Sequence, residues 1–334
     1  MLNYTIRRLF LAIPTLLFIS LVIFFLVKLS PSDPTANLPL TIPPEVREKI
    51  RESLGVNQPL FVQFGLWLKQ LMISEPLYWS NQIFGTNFDI GQRIISYQTR
   101  SPVMDIVIQR MPQTLTVVGT SYLVGILIAL PIGIISAYRQ YSFFDQAGTF
   151  VSMIGFSVPP FFSGVLVIVI FSVQLGWLPS IYDTTHVVTD WDSFVVQFKQ
   201  MIMPVMVLAL QTTAQISRFL RASMLDNLNQ DYVRTARAKG LSEKVVVLVH
   251  VLRNSLIPVI TVIALGVPAI FGGAIITEQV FKVNGLGQLL IISIQAGDVP
   301  TVQTLTFMFA VLIVLFNLVA DVLYGLLDPR IRYD

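Results

Sequence analysis

The segment Asp231-Tyr-Val-Arg-Thr-Ala-Arg-Ala-Lys-Gly240 lies between two apolar walls, residues 201–220 and 255–277. Each wall is long enough to cross a bilayer, which takes about 20 residues. The polar segment therefore reads as a loop on one side of a membrane, not as part of a soluble core. Asp231 is placed to cap a short helix at its start, and Gly240 to end it with left-handed backbone. Two helical turns are marginal in water by themselves. Such a helix has to lean on this chain or dock on another.

Outward from that loop the same apolar pattern recurs. Six stretches fit the length of a span, near residues 9–29, 114–138, 147–175, 201–220, 255–277 and 301–326. They predict an all-α integral membrane protein with six transmembrane helices. Composition agrees, with 54% hydrophobic and 12% charged residues, against roughly 25% charged in a soluble domain. Arg7 and Arg8 precede the first stretch as they would in a signal peptide. Its apolar run exceeds the roughly 7–15 residues of such a peptide, and no small-residue cleavage site follows. It reads as an uncleaved anchor.

Cations in short loops set the orientation. With both termini in the cytoplasm, Arg7, Arg8, Arg139, Arg218, Arg221, Arg234, Arg237, Lys239, Lys244, Arg253, Arg330 and Arg332 fall inside. The short outer loops then hold only Lys199 and Lys282. Three regions follow: an anchor helix over 1–29, an extracytoplasmic region over 30–112, and a five-helix core over 113–334 with a cytoplasmic loop at 222–254. The outer region opens with Pro31, Pro34, Pro39, Pro43 and Pro44, which favour extended chain and turns. One helix is expected from Pro44, closed by Gly55 after Leu54. A second should carry Leu60, Phe61, Phe64, Trp67, Leu68, Leu71 and Met72 on an apolar stripe, lying at the membrane interface or on the bundle. A third should start at Ser101-Pro102 and lead to Pro112. The chain shows no internal repeat, and its ending after Asp328 suggests no appended soluble domain.

Several chemistries are excluded by residue type. Without cysteine there are no disulfides or thiolate sites. His186 and His250 are far apart, which gives no basis for a metal cluster; His186 reads as a solvated loop residue. The charge of +3 is too small to point to nucleic acid. No G-x-x-x-x-G-K-[ST] loop is present to cradle nucleotide phosphates, and Gly285-Leu-Gly287 is only a weak glycine signal. Neither H-E-x-x-H nor a serine elbow with its histidine appears.

Polar residues inside the spans carry more information. Gln211, Gln215 and Arg218 share one face of the fourth span. A charge facing lipid there costs about 2.5–3.5 kcal/mol, so the stripe should face protein or water. A translocation path and hydrogen bonding between helices both satisfy that requirement. Arg218 and Arg221 also stand where they can reach headgroups. Ser157-Val-Pro159-Pro160 interrupts the third span, a break tolerated where it is buried or lines a cavity. Gly266, Pro268, Gly272, Gly273 and Ala274 offer close packing in the fifth span. Asn317 and Asp321 share a face of the last, with Asp321 placed to pair with a basic neighbour.

Asp231-Tyr-Val-Arg-Thr-Ala-Arg-Ala-Lys-Gly-Leu241, followed by His250-x-Leu252-Arg-Asn254-x-Leu256-x-Pro258, resembles the signature loop of binding-protein-dependent ABC importer permeases. It is most similar to the dipeptide/oligopeptide (peptide/nickel) branch, B-type subunit. Arg7-Arg8 with Pro14, Ser32-Asp33-Pro34, Leu54-Gly55 with Pro59, Gly285-Leu-Gly287 and Asp328-Pro329-Arg330 extend the likeness along the chain. Arg234 and Thr235 stand where the family-wide loop has Glu-Ala, while Ala236, Gly240 and Leu252 match. His250 and Arg253 replace its Ile and first Pro, and Ser32 replaces a more usual Gly.

The resemblance implies a type I ABC importer permease fold in the cytoplasmic (inner) membrane. It implies that Asp231, Tyr232, Arg234, Thr235, Ala236, Arg237, Ala238, Lys239, Gly240 and Leu241 form a coupling helix that enters a separate ATPase. Ala236 and Ala238 would permit close approach there, and the cations would meet an acidic or polar rim. Gln211, Gln215, Arg218, Ser157 and Pro159 become translocation-path candidates. Implied partners are a second homologous permease, two ABC ATPase subunits, an extracytoplasmic substrate-binding protein and membrane lipid. The chain itself would bind no cofactor; ATP and Mg would sit in the partner ATPases. Di- or oligopeptides are the implied cargo, with nickel, glutathione or another small solute as alternatives. An ion-coupled secondary transporter and a non-transporting scaffold are the rival readings.

Overall fold

The structure, a computed structural model, describes residues 2–29, 35, 43–53, 55–272 and 274–327. Pro31, Pro39, the Ser32-Asp33-Pro34 pattern, Leu54, Gly273, the ending Asp328-Pro329-Arg330 and Arg332 lie outside the described residues. In chain order the helices are α1 (Leu2–Lys28), α2 (Pro44–Ser53), α3 (Leu60–Lys69), α4 (Glu75–Phe84), α5 (Val103–Thr114), α6 (Thr120–Tyr138), α7 (Phe143–Ser157) and α8 (Pro160–Val167). They continue as α9 (Trp191–Leu228), α10 (Asp231–Ala238), α11 (Glu243–Val245), α12 (Leu252–Gly272), α13 (Ile275–Phe281), α14 (Leu286–Gln295) and α15 (Val299–Leu327). Among the described residues the one extended pairing is a bridge between Ile95 and Pro102.

The spans are longer than their apolar cores. α9 has 38 residues, about 57 Å at 1.5 Å per residue, nearly twice a hydrocarbon core. Its start is fixed by a capping box, in which Asp190 accepts from Ser193 N and Ser193 reaches back to the Asp190 N–H. The second span begins earlier than its apolar run, because the helix over Val103–Tyr138 is continuous. Pro112 lies inside it, and a π-helical turn at Leu115–Gly119 follows at once. The first two outer helices form where expected, with Gly55 at φ +66° after α2. The third span is not one rod. Pro159 and Pro160 supply no N–H to the carbonyls of Gly155 and Phe156, and the helices Phe143–Ser157 and Pro160–Gln174 meet at 104°.

One unit comprises residues 1–10, 113–287 and 312–334. Within it α6 lies against α9 at backbone distance, because Gly125, Ala129, Gly133 and Ala137 form a small stripe at four-residue spacing. A Cβ on Gly125 would stand 2.6 Å from Thr212 Cβ, and one on Gly133 3.0 Å from Leu220. Thr213 Oγ1 donates to the Gly125 carbonyl at 3.1 Å. Because 125 meets 212 while 133 meets 220, the two helices run parallel. α7 runs the other way along α9: Asp145 pairs with Arg221, Ser152 with Ser217, and Gly155 packs on Leu210. Two parallel neighbours require the chain to return between them, and the bent pair is what returns it. Five continuous helices among the described residues are long and apolar enough to cross a membrane, and the bent pair, taken as one span, makes six. Arg8 and Asp321, 2.8 Å apart, join α1 to α15.

The other unit comprises residues 11–112 and 288–311. Phe24 of α1, 1% exposed, packs against Phe64 and Trp67 of α3, and Trp67 meets Phe307 of α15 edge-on. The apolar stripe expected at the interface or on the bundle thus buries Trp67 and Leu71 inside this unit and leaves Phe61 and Met72 exposed. Two polar hubs brace the loop that follows α4. Arg93 binds Glu75 and Asp105 and lies 3.7 Å over the Tyr78 ring. Burial opposes its charge, but the hydrogen bonds it donates to Asp105 and Glu75 outweigh that and raise its pKa above the ordinary arginine value. Asp298 accepts from Ser96 Oγ, Tyr97 N and Thr301 Oγ1. Burial first, and then the Asp298 charge, push the Tyr97 hydroxyl up to about 12.

Candidate functional site

α10 follows from its sequence with one shift of frame. Gln230 is the N-cap, and Asp231 is the first helical residue instead of the cap. Its exposed carboxylate still suits the positive end of the helix dipole. Gly240 takes φ +77° just past the helix, donating to Arg237 O at 2.9 Å. Val233 (0% exposed) and Ala236 (6%) turn inward. They join a core with Ala129 and Ala137 of α6, Ile216, Leu220 and Met224 of α9, and Val246, Val247 and Val251 of the turn before α12. Burying a valine is worth about 1.5–3 kcal/mol, which is what a two-turn helix lacks alone. Ala236 thus serves packing on this chain, so of the two alanines expected to face a partner only Ala238 is exposed.

Side-chain bonds fix how α10 is carried. Tyr232 Oη donates to Asn227 Oδ1 at 2.7 Å, and Asn227 Nδ2 to Ser223 O at 2.8 Å. Ser223 Oγ donates to Ser255 O, crossing from α9 to α12. Arg237 Nε donates to Glu243 Oε1 at 2.8 Å, tying the end of α10 to α11. What remains outward is Arg234, Thr235, Ala238, Lys239 and Gly240, with Leu241 beside them. The result is a cationic, small-residue face held rigidly on an apolar root.

On α9, Gln215 and Arg218 are exposed and Gln211 is half-buried, while Thr213, Ala214, Ile216 and Ser217 face the core. None of the three polar residues bonds to another side chain or to backbone among the described residues. Hydrogen bonding between helices of this chain is therefore not their role. Ser157 and Pro159 are exposed at the bend, and Gly155 against Leu210 sets that bend level with the ribbon. Arg221 behaves differently from Arg218. It does not reach for headgroups but makes a two-pronged pair with buried Asp145, at 2.7 and 2.8 Å. His186, expected to be solvated, binds the Ser193 carbonyl at 2.8 Å.

One cluster escaped the sequence reading. Glu278 of α13, 1% exposed, accepts from Thr114 Oγ1 at 3.0 Å, and the same hydroxyl accepts from Leu286 N at 2.7 Å. A Cβ on Gly285 would lie 2.3 Å from that hydroxyl and 2.6 Å from both Glu278 oxygens. The weak glycine pair is thus the wall around a buried carboxylate. An acid in an apolar stretch just before G-x-G was the available signal.

Residues 129–333 match the family described as "Binding-protein-dependent transport system inner membrane component". Residues 1–118 match its N-terminal companion, "Binding-prot-dependent transport system membrane comp, N-term". The chain belongs to this family. It is an integral, multi-pass membrane permease chain, and its family works with ATPase and substrate-binding partners. It is 39% identical to the oligopeptide transport system permease protein AppB of Bacillus subtilis (strain 168), covering 99% of both chains. It is also 39% identical to the glutathione transport system permease protein GsiC of Escherichia coli (strain K12), covering 100% of both. A putative peptide transport system permease protein of Brucella abortus (strain 2308) is 35% identical over 98% of each. Among solved structures, a chain of the MetNI methionine ABC transporter in inward-facing conformations matches with TM-score 0.52 and 18% identity. That match covers 68% of this chain and 99% of the other, and it supports the permease fold alone.

Proposed function

We propose that this chain is one half of the membrane pathway of an ATP-driven importer of short peptides, with both termini cytoplasmic. Hydrolysis takes place elsewhere, in two ABC ATPase subunits that hold ATP and Mg. α10 is the coupling helix, gripped by an ATPase through Arg234, Arg237, Ala238 and Lys239. Its bonds through Asn227 and Glu243 make it move with α9 and α12. A second, homologous permease covers the Gln211–Gln215–Arg218 ribbon and the Ser157–Pro159 bend, so that the path runs between the two chains. A binding protein delivers cargo to the 30–112 region. The carrying observation is α10 itself, an apolar root with an exposed cationic face. The relatives named for oligopeptides, peptides and glutathione (itself a γ-linked tripeptide) support the cargo class.

The chain has no cysteine, so Ala238→Cys gives a unique thiol. It should crosslink to an ATPase subunit in the assembled complex, and the crosslink should stop ATP-dependent tripeptide uptake in proteoliposomes. Uptake that continues after complete crosslinking, or that needs no ATP, removes the reading.

A further inference from the structure

A cavity of 920 Å³ opens within the unit of residues 11–112 and 288–311, at the upper end of the roughly 300–1,000 Å³ of small-molecule sites. Its lining carries two charges without an ion-pair partner among the described residues. Lys28, the last residue of α1, has its ammonium 5.9 Å from the Phe24 ring centroid and pairs with no carboxylate among the described residues. Arg93 is the other cation on the wall, but Glu75 and Asp105 already saturate it. Glu52, exposed in the last turn of α2, lines the cavity without a cationic partner among the described residues.

Between these charges stand primary amides. The side chains of Gln58, Gln70 and Gln92 make no internal hydrogen bond among the described residues, whereas Gln63 and Gln303 spend theirs on backbone carbonyls. A carboxamide both donates and accepts, as a peptide bond does. Phe24, Trp67 and Leu66 add an apolar wall. Among the described residues, one cation and one carboxylate without an ion-pair partner, amides without side-chain hydrogen bonds and an apolar side together complement one class of ligand.

We infer that this cavity is a holding subsite for a short peptide with free termini, its carboxylate toward Lys28 and its ammonium toward Glu52. The inference rests on the peptide-importer reading and adds a station before the pathway between the permeases.

The test uses the whole complex, without binding protein, in phosphatidylcholine nanodiscs, titrated with tri-alanine. Binding should be saturable, and tri-alanine amide and N-acetyl tri-alanine should each bind at least tenfold more weakly. Lys28→Gln should erase the acid-to-amide difference and leave the acetyl effect. Glu52→Gln, on an exposed helix turn where folding is not at risk, should do the reverse. Absence of saturable binding, or unchanged ratios in both variants, overturns the subsite. So does loss of binding when phosphatidylethanolamine replaces phosphatidylcholine, because a lipid headgroup then owns the cavity. Uptake with binding protein separates the two readings. Normal ATP-driven peptide uptake without tri-alanine binding removes the subsite alone, and failure of all peptide uptake removes both.

Discussion

Replacing Arg93 with alanine isolates the energetics of the outer region. The guanidinium makes five hydrogen bonds, three to Glu75 and two to Asp105. The two carboxylates differ in setting: the Glu75 side chain is 3% exposed and that of Asp105 42%. Asp105 can turn to water when its partner goes, whereas Glu75 cannot. Stranding a buried charge costs about 3–5 kcal/mol, and loss of the Tyr78 face adds about 1 kcal/mol or less at this partly open site. A loss near 4 kcal/mol is expected, about a thousandfold in the opening equilibrium.

Hydrogen exchange of the amides of 75–84 and 93–97, measured on the intact complex, reads that opening directly. Arg93→Ala should speed exchange several hundredfold. Adding Glu75→Gln removes the stranded charge and should recover at least tenfold, a coupling that a double-mutant cycle makes explicit. Asp105→Asn alone should cost far less than either. If Arg93→Ala shifts exchange by under threefold, or the double variant is no slower than the single one, the burial argument is wrong.

Three further outcomes follow from particular contacts. Gly285→Ala puts a methyl against Thr114 and the Glu278 carboxylate and should lower stability by about 1–3 kcal/mol. Gly65→Ala, with nothing within 4 Å, should raise it by about 0.5–1 kcal/mol; melting curves of the two complexes should move apart, and parallel shifts would contradict the contact geometry. Gly240→Pro removes the N–H bonded to Arg237 O and forbids φ +77°, so uptake should vanish while membrane abundance holds; retained uptake means α10 is not aimed by its cap. Bonds from Ser193 backbone and hydroxyl hold the Asp190 carboxyl below its usual pKa. A depressed acid stabilises above its unfolded value, about 3.9, and loses that contribution as pH falls through the folded one. Intrinsically corrected exchange at Phe194–Val196 should therefore rise between pH 5 and pH 3, and Asp190→Asn should flatten the rise.

The spans were legible because twenty apolar residues in a row have few other uses, and α10 because a polar island between two such runs needs a reason. Their ends were not. Pro112 reads as a stop, yet the helix passes through it, since a π turn downstream absorbs the misfit. Pro159-Pro160 was visible as a break, but its 104° bend depends on what α9 offers to either side. The pair of Asp145 with Arg221 joins residues 76 positions apart, a separation at which no local pattern speaks. The four-residue small stripe on α6 is readable in the sequence, but glycine and alanine at that spacing do not say which helix they meet, and the fifth span is denser in glycine. Ala236 was placed on the wrong side for a related reason. Alanine is equally suited to touching a partner and to closing a core, and the burial of Val233, three residues earlier on the same face, decides for the core.

That decision bears on how the subunit works. α10 is not a loose plug waiting for a socket; its inner face is spent, and Tyr232–Asn227 and Arg237–Glu243 fasten it to α9 and α11. α10 follows α9 across Asn229 and Gln230 and is tied back to it by the Tyr232–Asn227 bond. On α9 the same rigid rod carries Gln211, Gln215 and Arg218, which this chain leaves unbonded among its described residues. Polar side chains left to lipid along a span are costly, most of all the two glutamines, since Arg218 stands nearer the loop end. The chain therefore does not present a finished surface to the bilayer. α9 thus carries an exposed polar ribbon along the span, and past its end α10 presents exposed cations. If α10 couples to an ATPase as proposed, whatever covers the ribbon touches the same helix to which α10 is tied.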